Sequence, residues 1–366
     1  MWSQRYDRQQ SDLVTLQSEI ARDVSSKLQS KLSGTEVAKV EKTYTANPEA
    51  YQLYLKGRFY WNKRTGESLK QSVDFYSQAI AKDPNYALAY SGLSESYGLF
   101  PGYSVALPQE SMPKAKAAAV RAIEIDDSLA EAHSALGVYL SMYSWNQPAA
   151  DQEFRRAIAL NHKYPTAHQQ FANLCLMARG RFDEGIAEGR RAEELDPLSP
   201  VISMDVGANL TRARRFDEAI AQLNRTLALD PNFYAARYAL GTAYHANGQY
   251  VEAIAEFRKA LTLDDDPWVK ALLARSLAKS GQRGEATRIL AELQSEAEHR
   301  YVTSSAFAIV YAALGEKDKA FVWLEREITE RGSRPPLFSV NPVFDDFRED
   351  PRFQDLLHRI ALAKLD

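Results

Sequence analysis

The sequence predicts an all-α solenoid of about eight stacked helical hairpins, and three observations predict it. The first is residues 234–266, YAARYALGTAYHANGQYVEAIAEFRKALTLDDD. There Leu240 and Tyr244 lie four residues apart on one helical face, and Phe257 and Leu261 repeat that spacing on a second helix. Gly241, Ala253 and Ala260 are small where two helix backbones must approach closely, and Gly248 supplies the turn between them. The second observation is a period. Two similar segments, FDEGIAEGRRAEELDP and FDEAIAQLNRTLALDP, end at Pro197 and Pro231, 34 residues apart. The third is composition: 366 residues, 45% hydrophobic and 25% charged, can build a large core. A lone amphipathic hairpin cannot bury its own apolar face, so copies must stack on one another.

Taken in order, the chain opens with DLVTLQSEIARDVSSKLQSKLSG, in which Leu13, Leu16, Ile20, Val24, Leu28 and Leu32 recur at three- and four-residue steps. This predicts one amphipathic helix within residues 1–34, capped by Ser11 or Asp12 and closed by Gly34. Residues 35–49 are polar and read as a linker. The hairpins follow over residues 50–334, with starts counted outward from the prolines at Tyr51, Ala87, Ala130, Thr166, Pro200, Tyr234, Pro267 and Tyr301. In the second, GLFPGYSVALPQE enlarges the turn, so its second helix is expected to begin near Ser111. Trp145 is placed to seal the third hairpin. Gly185 and Gly189 stand where alanine and a bulky apolar residue are expected in the fourth, marking either a joint or a close helix contact. Pro335 and Pro336 stop the last hairpin, and residues 335–366 read as a cap. Phe338, Val343, Phe344 and Phe347 should fold back, and a terminal helix starting at Asp350 or Pro351 should cover the apolar end of the array.

Leu240, Gly241, Tyr244, Gly248, Tyr250, Ala253, Phe257 and Ala260 fall at the spacing L-G-x-x-Y followed by A-x-x-x-F, which resembles the tetratricopeptide repeat (TPR). The resemblance implies a right-handed superhelix whose first helices line a concave groove through positions 2, 5, 9, 12 and 13 of each repeat. Carried onto this chain, those positions include Gln170, Leu174 and Met177 of the fourth repeat, Met204, Thr211 and Arg212 of the fifth, Tyr238, Thr242 and His245 of the sixth, and Arg275 of the seventh. They describe an apolar, methionine-bearing strip that turns basic toward the later repeats, suited to an extended peptide or protein segment. TPR domains that grip chaperone tails place asparagine at position 9 of the first repeat. Here the middle repeats carry Val138, Leu174, Ala208 and Thr242, which disfavours that ligand. At the other end, WSQRYDRQQSDLVTLQSEIARDVSSKL resembles the closing strand and helix of a TolB-like domain. That likeness implies an upstream domain and a bacterial signalling or regulatory protein.

Chemistry is scarce. There is no G-x-S-x-G elbow, Walker loop, G-x-G-x-x-G fingerprint or zinc-protease spacing. The nearest catalytic pattern is Ser-x-x-Lys, at Ser111 with Lys114 and at Ser276 with Lys279, the basis of an alternative serine acyl hydrolase. The six histidines lack ligand spacing and Cys175 is the single cysteine, so neither a metal site nor a cofactor is expected. A net charge of −3 gives no global pull toward nucleic acid, and no apolar run reaches the roughly 20 residues needed to span a bilayer. Arg179, Arg181, Arg212, Arg214 and Arg215 could stack into a basic ridge at the turns, with Asp183, Glu184, Asp217 and Glu218 beside it to neutralise it. The expectation is a non-catalytic scaffold, soluble and cytoplasmic with the periplasm kept open, that binds a protein or peptide partner. Self-assembly through the N-terminal helix or the repeat ends is the rival reading.

Overall fold

The computed structural model describes residues 44–332 and 335–362; the N-terminal amphipathic helix, its TolB-like likeness and most of the linker lie outside them. The described chain contains eight helical hairpins and no strand. They are α1 Pro48–Lys63 with α2 Gly66–Lys82, α3 Ala87–Leu99 with α4 Pro108–Ile125, α5 Ala130–Met142 with α6 Gln147–Leu160, and α7 Pro165–Phe171 with α8 Phe182–Leu195. Next come α9 Pro200–Arg212 with α10 Phe216–Leu229, α11 Tyr234–Ala246 with α12 Tyr250–Leu261, α13 Pro267–Lys279 with α14 Arg283–Glu296, and α15 Ser304–Ala313 with α16 Lys317–Thr329. A final helix, α17 Pro351–Leu362, follows two short 3-10 turns.

Local chemistry explains the boundaries. Proline occupies the first turn of α1, α6, α7, α9 and α13, where its missing N–H removes a donor that would otherwise be unsatisfied. The Asn47 side chain accepts from Glu49 and Ala50 N–H, which starts α1 inside what the sequence reads as linker. Gly248 ends the α11 turn at φ +78°, a conformation that side chains with a Cβ avoid.

Between the two helices of a hairpin the spacing is set by a glycine facing a ring or a leucine. A Cβ on Gly241 would lie 2.7 Å from Phe257 Cε1, and one on Gly207 would lie 2.6 Å from Leu223 Cγ. Gly185 makes a close contact too, since a Cβ there would sit 2.5 Å from Met177 Sδ. The irregularity of the fourth repeat falls in its first helix instead: after Phe171 the chain adds a π turn, Ala172–Leu176, and a 3-10 turn, Met177–Arg179.

Each first helix touches the first helix of the next hairpin, whereas second helices make no comparable contact with one another. First helices therefore form the tighter inner layer of a curved array and second helices its outer layer. One apolar cluster runs from Trp145 to Ile360 and takes in the cap, with Phe338, Phe344, Phe347 and Phe353 all buried in it. Phe338 and Phe344 pack with ring centres 4.3 Å apart, and Phe347 meets Phe353 at 5.8 Å.

The two ends of the array also meet. Gly66 N–H donates to Asp264 Oδ2 at 3.3 Å, Ser104 Oγ to Asp266 Oδ1 at 3.3 Å, and Gln109 Nε2 to the Glu330 carbonyl at 2.7 Å. The Arg331 guanidinium lies 4.4 Å from the Trp145 ring centre.

Candidate functional site

The groove positions sit on the inner layer, but the chain itself uses many of them. Met177 and Met204 are buried in the apolar clusters or against Gly185, and Thr211 is buried with its hydroxyl donating to the Gly207 carbonyl at 3.0 Å. Arg275 is buried too, its Nε 3.2 Å from Asp346 Oδ2 in the cap, and Lys279 binds the same carboxylate. Arg212 is half-buried and donates to Asn209 Oδ1 at 2.8 Å; burial pulls its pKa down while Asp205 opposes the shift. His245, which the repeat spacing places on the concave surface, is instead buried between α11 and α13. Its Nδ1 lies 2.7 Å from Ser276 Oγ, and because that hydroxyl already donates to the Leu272 carbonyl, the imidazole N–H is the donor. Burial, helped by Arg275 and Lys279, pushes the His245 pKa down to about 2, so the ring is neutral.

Besides Arg212, four candidates keep partial exposure: Gln170, Leu174, Tyr238 and Thr242. Gln170 Oε1 accepts from Ser134 Oγ at 2.5 Å, the Leu174 carbonyl accepts from Ser141 Oγ at 2.9 Å, and Thr242 Oγ1 donates to the Tyr238 carbonyl at 2.9 Å. Tyr238 packs its ring 5.4 Å from Tyr234. Each is held in place by a neighbouring first helix or by its own.

The inner layer also carries a buried polar network outside the candidate set. Arg58 Nη1 lies 3.2 Å from Glu95 Oε2, the Tyr164 hydroxyl donates to Glu95 Oε1 at 3.3 Å, and Gln169 Nε2 donates to Asp205 Oδ2 at 2.5 Å. Burial raises the pKa of Glu95 against the pull of Arg58 and Arg64, and raises that of Asp205 against its Gln169 hydrogen bond. Glu95 stands at position 9 of the second repeat, so extending the groove positions one repeat toward the N-terminus would have found it. Beside this network a cavity of about 260 Å³ opens between α1 and the turn before α9, lined by Arg58, Trp61, Gln169 and Leu198.

The basic ridge is neutralised as well. Arg181 pairs with Glu184, Arg215 with Glu218 at 2.6 Å, Arg179 with Asp151 at 3.2 Å, and Arg214 with Asp345 of the cap at 2.5 Å. Neither Ser-x-x-Lys match forms a nucleophile with its base. Ser111 is buried and donates to the Leu107 carbonyl at 3.3 Å, while the Lys114 ammonium lies over the Tyr97 ring. Among the described residues no group of histidine, cysteine, aspartate and glutamate could hold a metal ion, and no helix is long and apolar enough to cross a membrane.

This geometry defines an all-α array of helical hairpins with a first-helix inner layer. Residues 209–267 and 245–303 each match a tetratricopeptide repeat family model, and the chain carries tetratricopeptide repeats. Among curated relatives it is 28% identical over 143 residues to putative adenylate cyclase 3 of Rhizobium meliloti (strain 1021), which covers 38% of this chain and 24% of that protein. It is 29% identical over 96 residues to transcriptional regulator HilA of Salmonella typhimurium, covering 26% of this chain and 17% of that one. The chain thus spans at most about a quarter of the length of these relatives. Similar solved structures include the Cut9–Hcn1 hetero-tetramer of APC/C, at 15% identity and TM-score 0.47 over 73% of this chain and 54% of that one. Another is YrrB, described as a TPR protein with an unusual peptide-binding site, at 20% identity and TM-score 0.33 over 53% of this chain and 94% of that one.

Proposed function

We propose that the chain is a non-catalytic scaffold that holds a protein or peptide segment on its first-helix face, as part of a bacterial signalling or regulatory protein acting in the cytoplasm. The repeats support the scaffold class. The observation that carries the groove reading is the strip formed by Gln170, Leu174, Tyr238 and Thr242, which stays partly exposed while the positions around it are consumed by internal packing. Arg212 and the more deeply placed Met177, Met204, Thr211, His245 and Arg275 then shape the strip from beneath. The adenylate cyclase and transcriptional regulator to which the chain is similar support the signalling context. Thr242→Asp places a charge on the strip at a residue outside the apolar clusters, and Leu174→Asp does so at one that also packs against the cluster of Val138, Phe154 and Phe171. Capture of partner from bacterial cytosol should fall at least tenfold for either variant at unchanged helicity, and capture equal to wild type refutes the groove.

A homodimer through the first repeat is the second reading, because Leu55 and Phe59 on α1 are 43% and 57% exposed at the end of the array. Light scattering of the wild type and of Leu55→Asp/Phe59→Asp over a hundredfold dilution decides it. A mass that is monomeric throughout removes that reading.

A further inference from the structure

The turn between α3 and α4 is unlike the others. Residues 100–107 fill it, whereas the remaining hairpins with two regular helices turn within two to four residues. The extra chain crosses to the opposite end of the array. It begins with the 3-10 turn Phe100–Tyr103, closed by Ser104 at φ +55°. Phe100 stays with Trp61 and Leu69 of the first repeat, but Tyr103 packs both on that group and on the large cluster of the later repeats. Burial raises the pKa of its phenol well above the ordinary value.

Three features distinguish this crossing from ordinary core. Ser104 Oγ reaches Asp266 Oδ1 on the far side at 3.3 Å, a long and therefore weak hydrogen bond. A cavity of about 490 Å³ separates Val105, Ala106 and Leu107 from Tyr301, Val302, Phe307 and Trp323, leaving the segment room to shift. Finally, Arg64 is buried with its guanidinium 3.7 Å from the ring centre of Trp61, on which the segment packs, and its Nε has no hydrogen-bond partner. An unsatisfied buried donor of a cation is costly, and an incoming acceptor would relieve it.

We propose that residues 99–107 are a strap in which Tyr103 occupies, in cis, the seat of a partner's tyrosine-bearing peptide turn, so that the partner binds by displacing the strap. The seat has the chemistry of its present occupant. The large apolar cluster takes the ring, Asp266 Oδ1 accepts from the residue after the tyrosine as it now accepts from Ser104, and Arg64 Nε takes a backbone carbonyl or carboxylate that the strap does not supply. This rests on the scaffold reading and names the ligand class at the same inner face.

The test uses the full chain and a synthetic peptide with the strap's own sequence, LFPGYSVAL. Tyr103→Ala vacates the seat, so it should bind the peptide at least ten times more tightly than wild type, and the peptide with alanine in place of its tyrosine should not bind. In wild type, saturating peptide should raise amide exchange across residues 99–107 at least tenfold while α3 and α4 keep their protection. Equal affinity for both proteins, or no binding to a Tyr103→Ala chain of native helicity, overturns the strap. If that variant loses helicity, the wild-type exchange experiment decides alone, and unchanged strap exchange with peptide present overturns it. Failure here leaves the Leu174→Asp and Thr242→Asp capture results standing. Loss of the groove reading with peptide binding intact would show up only in those capture results.

Discussion

Gly241 and Gly284 show how one substitution takes opposite signs in the same fold. At Gly241 a methyl group would drive into the Phe257 ring, which is itself fully enclosed, and overpacking of that kind costs about 1–3 kcal/mol. Alanine's helical advantage over glycine is only about 1 kcal/mol, so the collision wins. Gly284 lies in the first turn of α14, where a Cβ would meet nothing within 4 Å, and there the helical advantage acts alone. Urea titration should show a lower midpoint for Gly241→Ala and a higher one for Gly284→Ala; midpoints moving in the same direction would refute the packing account. Gly241 is also where the sequence is most legible, because a close approach needs only a small residue at the right period. It is least legible at His245, whose neighbour Tyr244 predicts an outward ring. The deciding contact is Ser276 on the next hairpin, 31 residues away, and no spacing rule within one repeat encodes it.

Among elements, position 4 of the first helices forms a ladder. His133 Nδ1 lies 2.7 Å from Glu153 and its Nε2 2.9 Å from the Asp127 carbonyl, and His168 repeats this with Glu188 at 2.6 Å and the His162 carbonyl at 3.0 Å. Arg237 does the same with Glu256 at 3.0 Å and the Pro231 carbonyl at 2.8 Å, tying each hairpin to the turn before it. The Glu153 hydrogen bond raises the His133 pKa; burial lowers that of His168, but its Glu188 and His162 bonds outweigh this and raise it. The positive charges of Arg156 and Arg191 oppose the rise at His133 and His168 respectively. A raised folded pKa means that this contribution is complete below the unfolded value of about 6.5 and is lost as pH rises through the folded one. His245 acts in the opposite sense. Its folded pKa is depressed to about 2, so the unfolded chain binds the extra proton and stability falls as pH drops below about 6.5. Thermal midpoints from pH 5 to 8.5 should therefore lose their alkaline-side decline in His133→Gln/His168→Gln, while His245→Gln should flatten the acid side. A variant profile parallel to wild type on the relevant side rules out that histidine.

Element starts at Ala87, Ala130, Pro200, Tyr234 and Pro267 are legible because turn chemistry and period agree there. The starts at Pro48, Pro165 and Ser304 differ by one to three residues from the expected positions, the first because Asn47 with Pro48 caps α1 within a polar stretch. The second helix after the long turn begins at Pro108, ahead of Ser111, for a similar reason: proline is accommodated at a helix start. What a one-repeat template could not show is that the long turn and the cap return to the inner layer. Ser104 and Asp346 meet partners 162 and 71 residues away, Asp266 and Arg275, across several hairpins.

At the scale of the molecule, the meeting of the two ends changes what kind of object a repeat array is. An open array is close to one-dimensional: each hairpin answers to its neighbours, and damage at one end leaves the other folded. Here Gly66 reaches Asp264, 198 residues away, and Gln109 reaches Glu330, 221 residues away. Chains with such distant contacts must close large loops before those contacts form, so folding should be slower than for an open array of equal length. Unfolding should be shared as well. Trp61 reports on the first repeat and Trp323 on the last, and in single-tryptophan variants the two fluorescence midpoints in urea should coincide. Midpoints that separate would mean the ends melt independently. If they coincide, the chain behaves as a closed circuit, and a partner that pries loose the strap at one point would weaken the grip of the first and last hairpins together.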